Sequence, residues 1–368
     1  MKRILMVSYH ELGNGGIQSV LMSIVRGLSK EYVFDVLVFT DNKGNYEEEF
    51  CSYGGQIYRI PWYEGSSEFH MKLDKYIRGP RIYRGALRIL KEHGPYHAVH
   101  CHNYYEAAPV LSAAAVLHVP IRIVHNHSVI QMHRENQIMK ALYHYQAKRI
   151  EQFATAKIGC TEEACKSFFA NPDGSRVINN PYNERRFDPD KFEKRNTKEL
   201  NLLQVGRIGE NKNQLFSLKV VACIKPKRPD VTLRIVGFST DSYKAMLEKY
   251  VRDNDLSDNV FFLPHDADTP LLLSQSAAML LPSLYEGCPL VALETQAMGT
   301  RCYASDTITR MADCGGMTFL SLDDGPEVWA ETILADYEKT KGCYTPYNVD
   351  RFKTNSVAAE YRALYKKP

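Results

Sequence analysis

The chain has 368 residues and a mass of 42.0 kDa, which at roughly 150 residues per domain points to two domains. Hydrophobic residues at 44% and charged residues at 24% match ordinary globular usage and exclude a disordered chain. The net charge of +3 is too small for the broad positive surface of a nucleic-acid binder, so no nucleic-acid partner is expected.

The charge is unevenly spread. Residues 1–180 carry 21 Lys and Arg against 17 Asp and Glu, whereas residues 181–368 carry 25 against 26. Of the 12 histidines, 11 lie at or before His144. The nine cysteines, from Cys51 to Cys343, contain no C-x-x-C, so buried reduced thiols are expected rather than a zinc site or a disulfide framework. The longest apolar stretch, Ala107 to Val124, is broken by Ser112, His118, Pro120 and Arg122, and no membrane span is expected. The apolar start ends at Val7, too short a core for a secretory leader. A cytoplasmic location follows, with peripheral attachment to the inner face of the membrane as a variant.

In chain order, short apolar runs alternate with amphipathic stretches, the pattern of βαβ units around a parallel sheet. Strands are expected at Arg3–Val7, Val33–Phe39, Ile57–Ile60, Ala98–Cys101, Ile121–His125 and Lys157–Cys160, with a helix at Ile17–Leu28. The polar, turn-rich segment Asn179–Thr197 reads as a linker. Strands resume at Leu200–Val205, Val231–Val236, Val260–Leu263, Ala278–Leu281 and Cys302–Ala304, with helices at Asp241–Asp253 and Pro289–Met298. The expected architecture is two Rossmann-like, doubly wound parallel-sheet α/β domains facing across a cleft. Residues 1–180 form the first and 181–345 the second, with 346–368 returning to the first.

Three loops carry candidate chemistry. In Tyr9-His-Glu-Leu-Gly-Asn-Gly-Gly, Gly13, Gly15 and Gly16 let backbone amides approach an anion, although a simple flexible turn fits equally well. A dinucleotide fingerprint would need glycine where Gln18 stands. In Val205-Gly-Arg-Ile-Gly-Glu-Asn-Lys-Asn, Arg207 and Lys212 sit between a strand and a helix. In Pro282-Ser-Leu-Tyr-Glu-Gly-Cys-Pro-Leu-Val-Ala-Leu-Glu294, Pro289 suits a first helical turn and leaves the amides of Leu290 and Val291 for an anion. Glu286 and Glu294 frame that turn. Cations for a diphosphate and carboxylates for sugar and ribose hydroxyls are what a nucleotide sugar requires.

His125 and His127 follow the strand at Ile121, and His100 and His102 form a second H-x-H pair. His127 is expected to face function, and His125 the opposite side of the strand. No Asp, Glu or Cys stands at a spacing that would complete a metal site, so no metal is expected. Asp188-Pro-Asp190 and Asp266-Ala-Asp268 are Asp-x-Asp matches.

These runs, with His125-Asn-His-Ser128, resemble the GT-B retaining glycosyltransferases of family 4, the exopolysaccharide and capsular polysaccharide type, over almost the whole chain. The resemblance implies a hexosyltransferase that moves a hexose or N-acetylhexosamine from a nucleotide sugar, a UDP-sugar, to a polysaccharide or undecaprenyl-type lipid-linked acceptor. Arg207 and Lys212 would neutralise the leaving diphosphate, so no metal or other cofactor is required. Glu286 would hold a donor-sugar hydroxyl and Glu294 the ribose. Gly15 and Gly16 would approach the donor phosphate, and His127 would lie beside the donor sugar. The base would lie near Gly237 and Pro264-His-Asp-Ala-Asp268. Acceptor contacts are expected from the basic first half, near Arg134 or Arg149. A sugar-nucleotide epimerase of similar fold and a non-catalytic nucleotide-sugar-binding partner are the competing readings.

One basic stretch stands apart. Arg81, Arg84, Arg88 and Lys91 recur at helical spacing, with Ile82, Ala86, Ile89 and Leu90 on another face. Residues 80–91 therefore suit either an anionic membrane surface or the solvated side of a packed helix.

Overall fold

The computed structural model describes residues 1–13, 15–61, 68–130, 136–193, 199–239, 241–342 and 347–366, with the backbone alone described at 68–73, 75–76 and 241. Asn14 and Arg134 lie outside the described residues. The chain divides into two compact units, Met1–Tyr182 with Phe352–Pro368, and Asn183–Arg351.

The first unit alternates strand and helix. Its elements are β1 (Lys2–Ser8), α1 (Gly16–Leu28), β2 (Tyr32–Val38), α2 (Glu47–Ser52), β3 (Ile57–Arg59), α3 (Glu68–His93) and β4 (Ala98–Cys101). There follow α4 (Ala107–Val116), β5 (Ile121–Asn126), α5 (Gln137–Phe153), β6 (Ala156–Gly159), α6 (Glu162–Phe168) and β7 (Arg176–Val177). Among the described residues these strands form one parallel sheet in the order β3-β2-β1-β4-β5-β6-β7. Near-continuous apolar strands such as Ile4–Val7 are buried, as they must be with helices packed on a parallel sheet. The order reverses between β1 and β4, so the loops that follow these strands flank the topological switch point.

The second unit repeats the plan. It contains β8 (Asn201–Val205), α7 (Gln214–Ile224), β9 (Thr232–Val236), α8 (Asp241–Asp253), β10 (Val260–Leu263) and α9 (Thr269–Gln275). Then come β11 (Ala278–Leu281), α10 (Leu290–Ala297), β12 (Arg301–Ser305), β13 (Met317–Leu320) and α11 (Gly325–Thr340). Its sheet order is β10-β9-β8-β11-β12-β13 among the described residues, and the reversal falls between β8 and β11. Buried Trp329 on α11 packs edge-on against Phe216 of α7 and donates its indole N–H to the Ser321 carbonyl at 2.9 Å. The two Rossmann-like domains expected from the alternating pattern are present.

The chain then returns to the first unit. The Tyr182 amide bonds the Phe352 carbonyl at 3.1 Å, and α12 (Thr354–Lys366) buries Val357, Ala358, Tyr361, Leu364 and Tyr365. Gly27 of α1 faces this helix: a Cβ there would lie 2.9 Å from the Ala358 methyl.

Three sequence expectations change. The linker does not begin at Asn179, because Asn180 and Tyr182 are buried parts of the first unit; polar composition there reflects hydrogen bonding rather than exposure. The basic helix is longer than 80–91: α3 runs through Pro80, and its buried side carries Ile82, Ala86, Ile89 and Leu90. The thiols are not uniformly buried. Among the described residues eight cysteines are free, with Cys51 exposed and Cys223 and Cys314 half-buried.

Candidate active site

The second unit's switch point is built from the loops after β8 and β11. Gly206 takes φ +147°, a conformation that disfavours side chains, and the Lys212 chain packs where its Cβ would stand, with Cε at 3.2 Å. Two buried glutamines fix the loop. The Gln204 amide donates to the Lys212 carbonyl at 2.7 Å; Gln214 donates to the Arg207 carbonyl at 3.1 Å and accepts from the Gly209 amide at 3.2 Å. The loop after β9 crosses close by: the Ile208 amide bonds the Phe238 carbonyl at 2.8 Å, and a Cβ on Gly237 would fall 2.0 Å from the Gly206 oxygen.

The loop after β11 is tied to this one. The Leu284 amide donates to the Asn211 carbonyl at 2.8 Å, and the Asn211 side chain donates to the Tyr285 carbonyl at 3.1 Å. Lys212 Nζ donates to the Glu286 carboxylate in a mostly buried ion pair. Arg207 is exposed, and no ion pair holds it among the described residues. Arg207 and Lys212 line a cavity of about 610 Å³ together with Tyr243, Met246 and Tyr285. An anion entering it meets one uncommitted cation and one cation whose present partner is a carboxylate.

Helix α10 starts at Leu290, with Pro289 as its extended N-cap rather than within its first turn. The amides of Leu290 and Val291 remain its first two positions, which have no acceptor inside the helix. Half-buried Glu294 stands one turn further on. Desolvation pushes its carboxyl up to about 7, against the opposing charge of Arg186. Among the described residues no hydrogen bond or ion pair joins Glu294 to Arg207, Lys212 or Glu286.

The Asp-x-Asp matches at 188–190 and 266–268 do local work. Asp188 accepts from the Asp190 amide at 3.2 Å, and Asp268 caps α9 by accepting from the Leu271 amide at 3.3 Å.

In the first unit, Gly15 is the N-cap of α1 with ordinary φ −70°, and Gly16 opens the helix. A Cβ on Gly15 would meet the Gln18 side chain at 2.2 Å; Gln18 is itself held by the Ser8 hydroxyl at 3.1 Å. Next to this switch point the two H-x-H pairs meet. His100, His102, His125 and His127 are all buried. His127 uses both ring nitrogens: Nε2 lies 2.9 Å from His102 Nδ1, and Nδ1 lies 3.1 Å from Asn180 Oδ1. Burial keeps all four neutral, lowering His127 to about 4 and His100 to about 3, with His102 and His125 well below the usual imidazole range. His125 does not point away from His127. Residues two apart on a strand share a face, and the two rings lie 3.9 Å apart.

Comparison with known proteins decides the family. The Glycosyltransferase Family 4 model matches residues 14–186, and the model for Glycosyl transferases group 1 matches residues 185–314. The putative glycosyltransferase EpsF of Bacillus subtilis is 30% identical over 347 residues, covering 90% of this chain and 87% of that one. The chain belongs to the group 1 glycosyltransferases. The UDP-Gal:alpha-D-GlcNAc-diphosphoundecaprenol alpha-1,3-galactosyltransferase of Escherichia coli is 28% identical over 60% of each chain. The crystal structure of Anabaena Alr3699/HepE in complex with UDP and glucose superposes over 100% of both chains with a TM-score of 0.78 at 15% identity, which shows the GT-B fold.

In this glycosyltransferase the structure brings Arg207, Lys212 and Glu286 together at one switch point. It places Leu290, Val291 and Glu294 on the helix that the same loop enters, and Gly15, Gly16 and His127 in the other unit. Asn211 and Tyr285, which join the two loops, carry no sequence signal beyond lying within the motifs. Asn180 lies inside the expected linker, and only its burial reveals it.

Proposed function

We propose that this glycosyltransferase moves a hexose or N-acetylhexosamine from a UDP-sugar to a polysaccharide or undecaprenyl-diphosphate-linked oligosaccharide, with retention at the anomeric carbon. The observation that carries this reading is the convergence of Arg207, Lys212 and Glu286 at the β8/β11 switch point, where doubly wound sheets bind ligands. The UDP and glucose in the Alr3699/HepE complex and the named donor and acceptor of the Escherichia coli galactosyltransferase support the choice of donor and acceptor.

As the bond between the anomeric carbon and the diphosphate stretches, negative charge grows on the departing oxygen. Arg207, Lys212 and the amides of Leu290 and Val291 are fixed donors for that charge, so a divalent ion on the diphosphate is not required. Glu286 holds a sugar hydroxyl and Glu294 the ribose. The family pattern assigns Gly15 and Gly16 to the donor phosphate and His127 to the donor sugar. On the acceptor side, the first unit has a cavity of about 550 Å³ lined by Arg78, Arg84, Tyr105, Tyr145 and Arg149. Arg84, Arg88 and Lys91 are exposed on α3, a face suited to anionic lipid. No described helix is long and apolar enough to cross a membrane.

A screen of UDP-, GDP- and ADP-sugars for nucleotide release, with and without brief chelation, tests the reading. Release from UDP-sugars that survives chelation is expected. An isomerised nucleotide sugar without nucleoside diphosphate would identify an epimerase instead. Immediate loss on chelation, restored by Mg²⁺ or Mn²⁺, would overturn the metal-free step.

A further inference from the structure

The histidine cluster of the first unit holds more polar atoms than it satisfies. His100 Nε2, His102 Nε2, both nitrogens of His125 and the Tyr361 hydroxyl are buried without a hydrogen-bond partner. A buried unpaired polar atom costs roughly 1–3 kcal/mol, so a group of five needs a physical reason.

Strand register explains how they meet. On β4 and β5, His100 pairs with Ile123 and Cys101 with Val124, so continuing the register sets His102 against His125. Both H-x-H pairs point to the same side of two neighbouring strands. One ligand nitrogen from each of His100, His102 and His125 lies within 4.8 Å of the others. The third ligand absent from the Asp, Glu and Cys spacing is a histidine of the other pair.

The hydrogen bonds also set the tautomers. Asn180 Oδ1 only accepts, so His127 donates through Nδ1 and accepts at Nε2. His102 must then donate through Nδ1, which leaves Nε2 as a bare lone pair. The Tyr365 hydroxyl lies 2.7 Å from His100 Nδ1 and 3.9 Å from Met6 Sδ. The tautomer of His100 that donates its Nδ1 proton to this hydroxyl bares Nε2 in turn. His125 presents one lone pair in either neutral tautomer. A buried water could donate to two of these at most; a divalent cation accepts from three. Ligand imidazoles oriented by a bond at their other nitrogen are the usual arrangement in metal centres.

We propose that His100, His102 and His125 form a binding site for a zinc-class divalent ion, covered by Tyr361 of α12. Three neutral imidazoles suit Zn²⁺ in preference to Mg²⁺ or Ca²⁺. The site lies wholly within the first unit, and its metal content is read without donor turnover.

The test is metal content of the full-length chain produced with Zn²⁺ and exchanged into metal-free buffer. About one zinc per chain is expected, with a tenfold or greater loss in His125→Asn and His102→Asn. His118→Asn, at an exposed histidine, should retain it. Chain produced with Co²⁺ should show tetrahedral d–d absorption, a reading on the unmutated protein that does not depend on how a variant folds. Wild-type chain holding less than about a tenth of an equivalent, or His125→Asn holding as much as wild type, would overturn the site.

Discussion

Lys212 and Glu286 stand 74 positions apart in the chain, yet their ion pair joins the two loops at the β8/β11 switch point. A diphosphate would therefore compete with Glu286 for Lys212, whereas Arg207 is already available. The two cations should separate by readout. Lys212→Ala removes a donor contact and leaves Glu286 mostly buried without its partner, so donor use should fall about 10- to 100-fold and stability should also drop. Arg207→Ala should lower donor use on a similar scale with the melting temperature nearly unchanged. Nucleotide-release kinetics beside calorimetry check this; equal loss of stability in both variants would contradict it.

The glycines that allow this loop geometry make a second test. Gly237→Ala places a methyl 2.0 Å from the Gly206 carbonyl, backbone against backbone, and should destabilise the second unit by about 1–3 kcal/mol. Gly206→Ala adds strain at φ +147° and pushes on the Lys212 chain. Gly209 is extended at φ 174°, and a methyl placed on it would meet nothing within 4 Å, so Gly209→Ala should be neutral. Thermal unfolding of the three variants should rank them in that manner.

Glu294 supplies a pH signature. Its carboxyl is raised from an ordinary value of 4.5 to about 7, so between those pH values the folded chain holds a proton that the unfolded chain has released. Stability from this group therefore declines as pH rises from 4.5 to 7 and is level above that. Glu294→Gln should flatten that part of the pH–stability curve. Arg186→Ala should move the wild-type inflection upward, because the opposing charge is gone. Urea unfolding between pH 4 and 8 reads both; parallel curves for wild type and Glu294→Gln would refute the assignment.

The donor loops are visible in the sequence because each runs from an apolar strand into a helix and carries charges that a loop has no packing reason to hold. Their meeting depends on β8 lying beside β11, a matter of strand order that no local pattern contains. The same limit hides the histidine cluster: two H-x-H pairs are unremarkable until β4 and β5 are known to be neighbours. β7 has only two residues, Arg176 and Val177, so it offers no apolar run to detect. Asn180 reads as linker because a buried, hydrogen-bonded asparagine has the composition of a loop.

The exposed cations of α3 predict lipid preference. Arg84, Arg88 and Lys91 face solvent, while Arg81 is paired with Asp74 and Arg78 with Glu106, so the effective charge of the face is smaller than the residue count suggests. Binding worth about 1 kcal/mol per basic residue near an anionic surface should bring the chain to phosphatidylglycerol vesicles at low salt. It should release the chain as ionic strength rises. Arg84→Glu with Arg88→Glu should abolish flotation. Equal binding to neutral and anionic vesicles would remove the idea.

The four buried imidazoles predict acid lability of the first unit. His127 and His100 are lowered to about 4 and about 3, and His102 and His125 are lowered strongly as well, all mainly by desolvation. Below the ordinary value of 6.5 the unfolded chain binds protons that the folded chain refuses. In chain freed of metal, stability is thus complete above pH 6.5 and is lost as pH falls toward 4, by about 1.4 kcal/mol per pH unit for each histidine taking part. His125→Asn deletes one of these protons and should make the slope shallower, even if it also lowers the plateau. Proton uptake on unfolding, obtained from denaturant midpoints across pH 4 to 7, distinguishes slope from plateau. An unchanged slope in His125→Asn would mean that its ring is protonated in the folded state, contrary to its burial beside three other imidazoles.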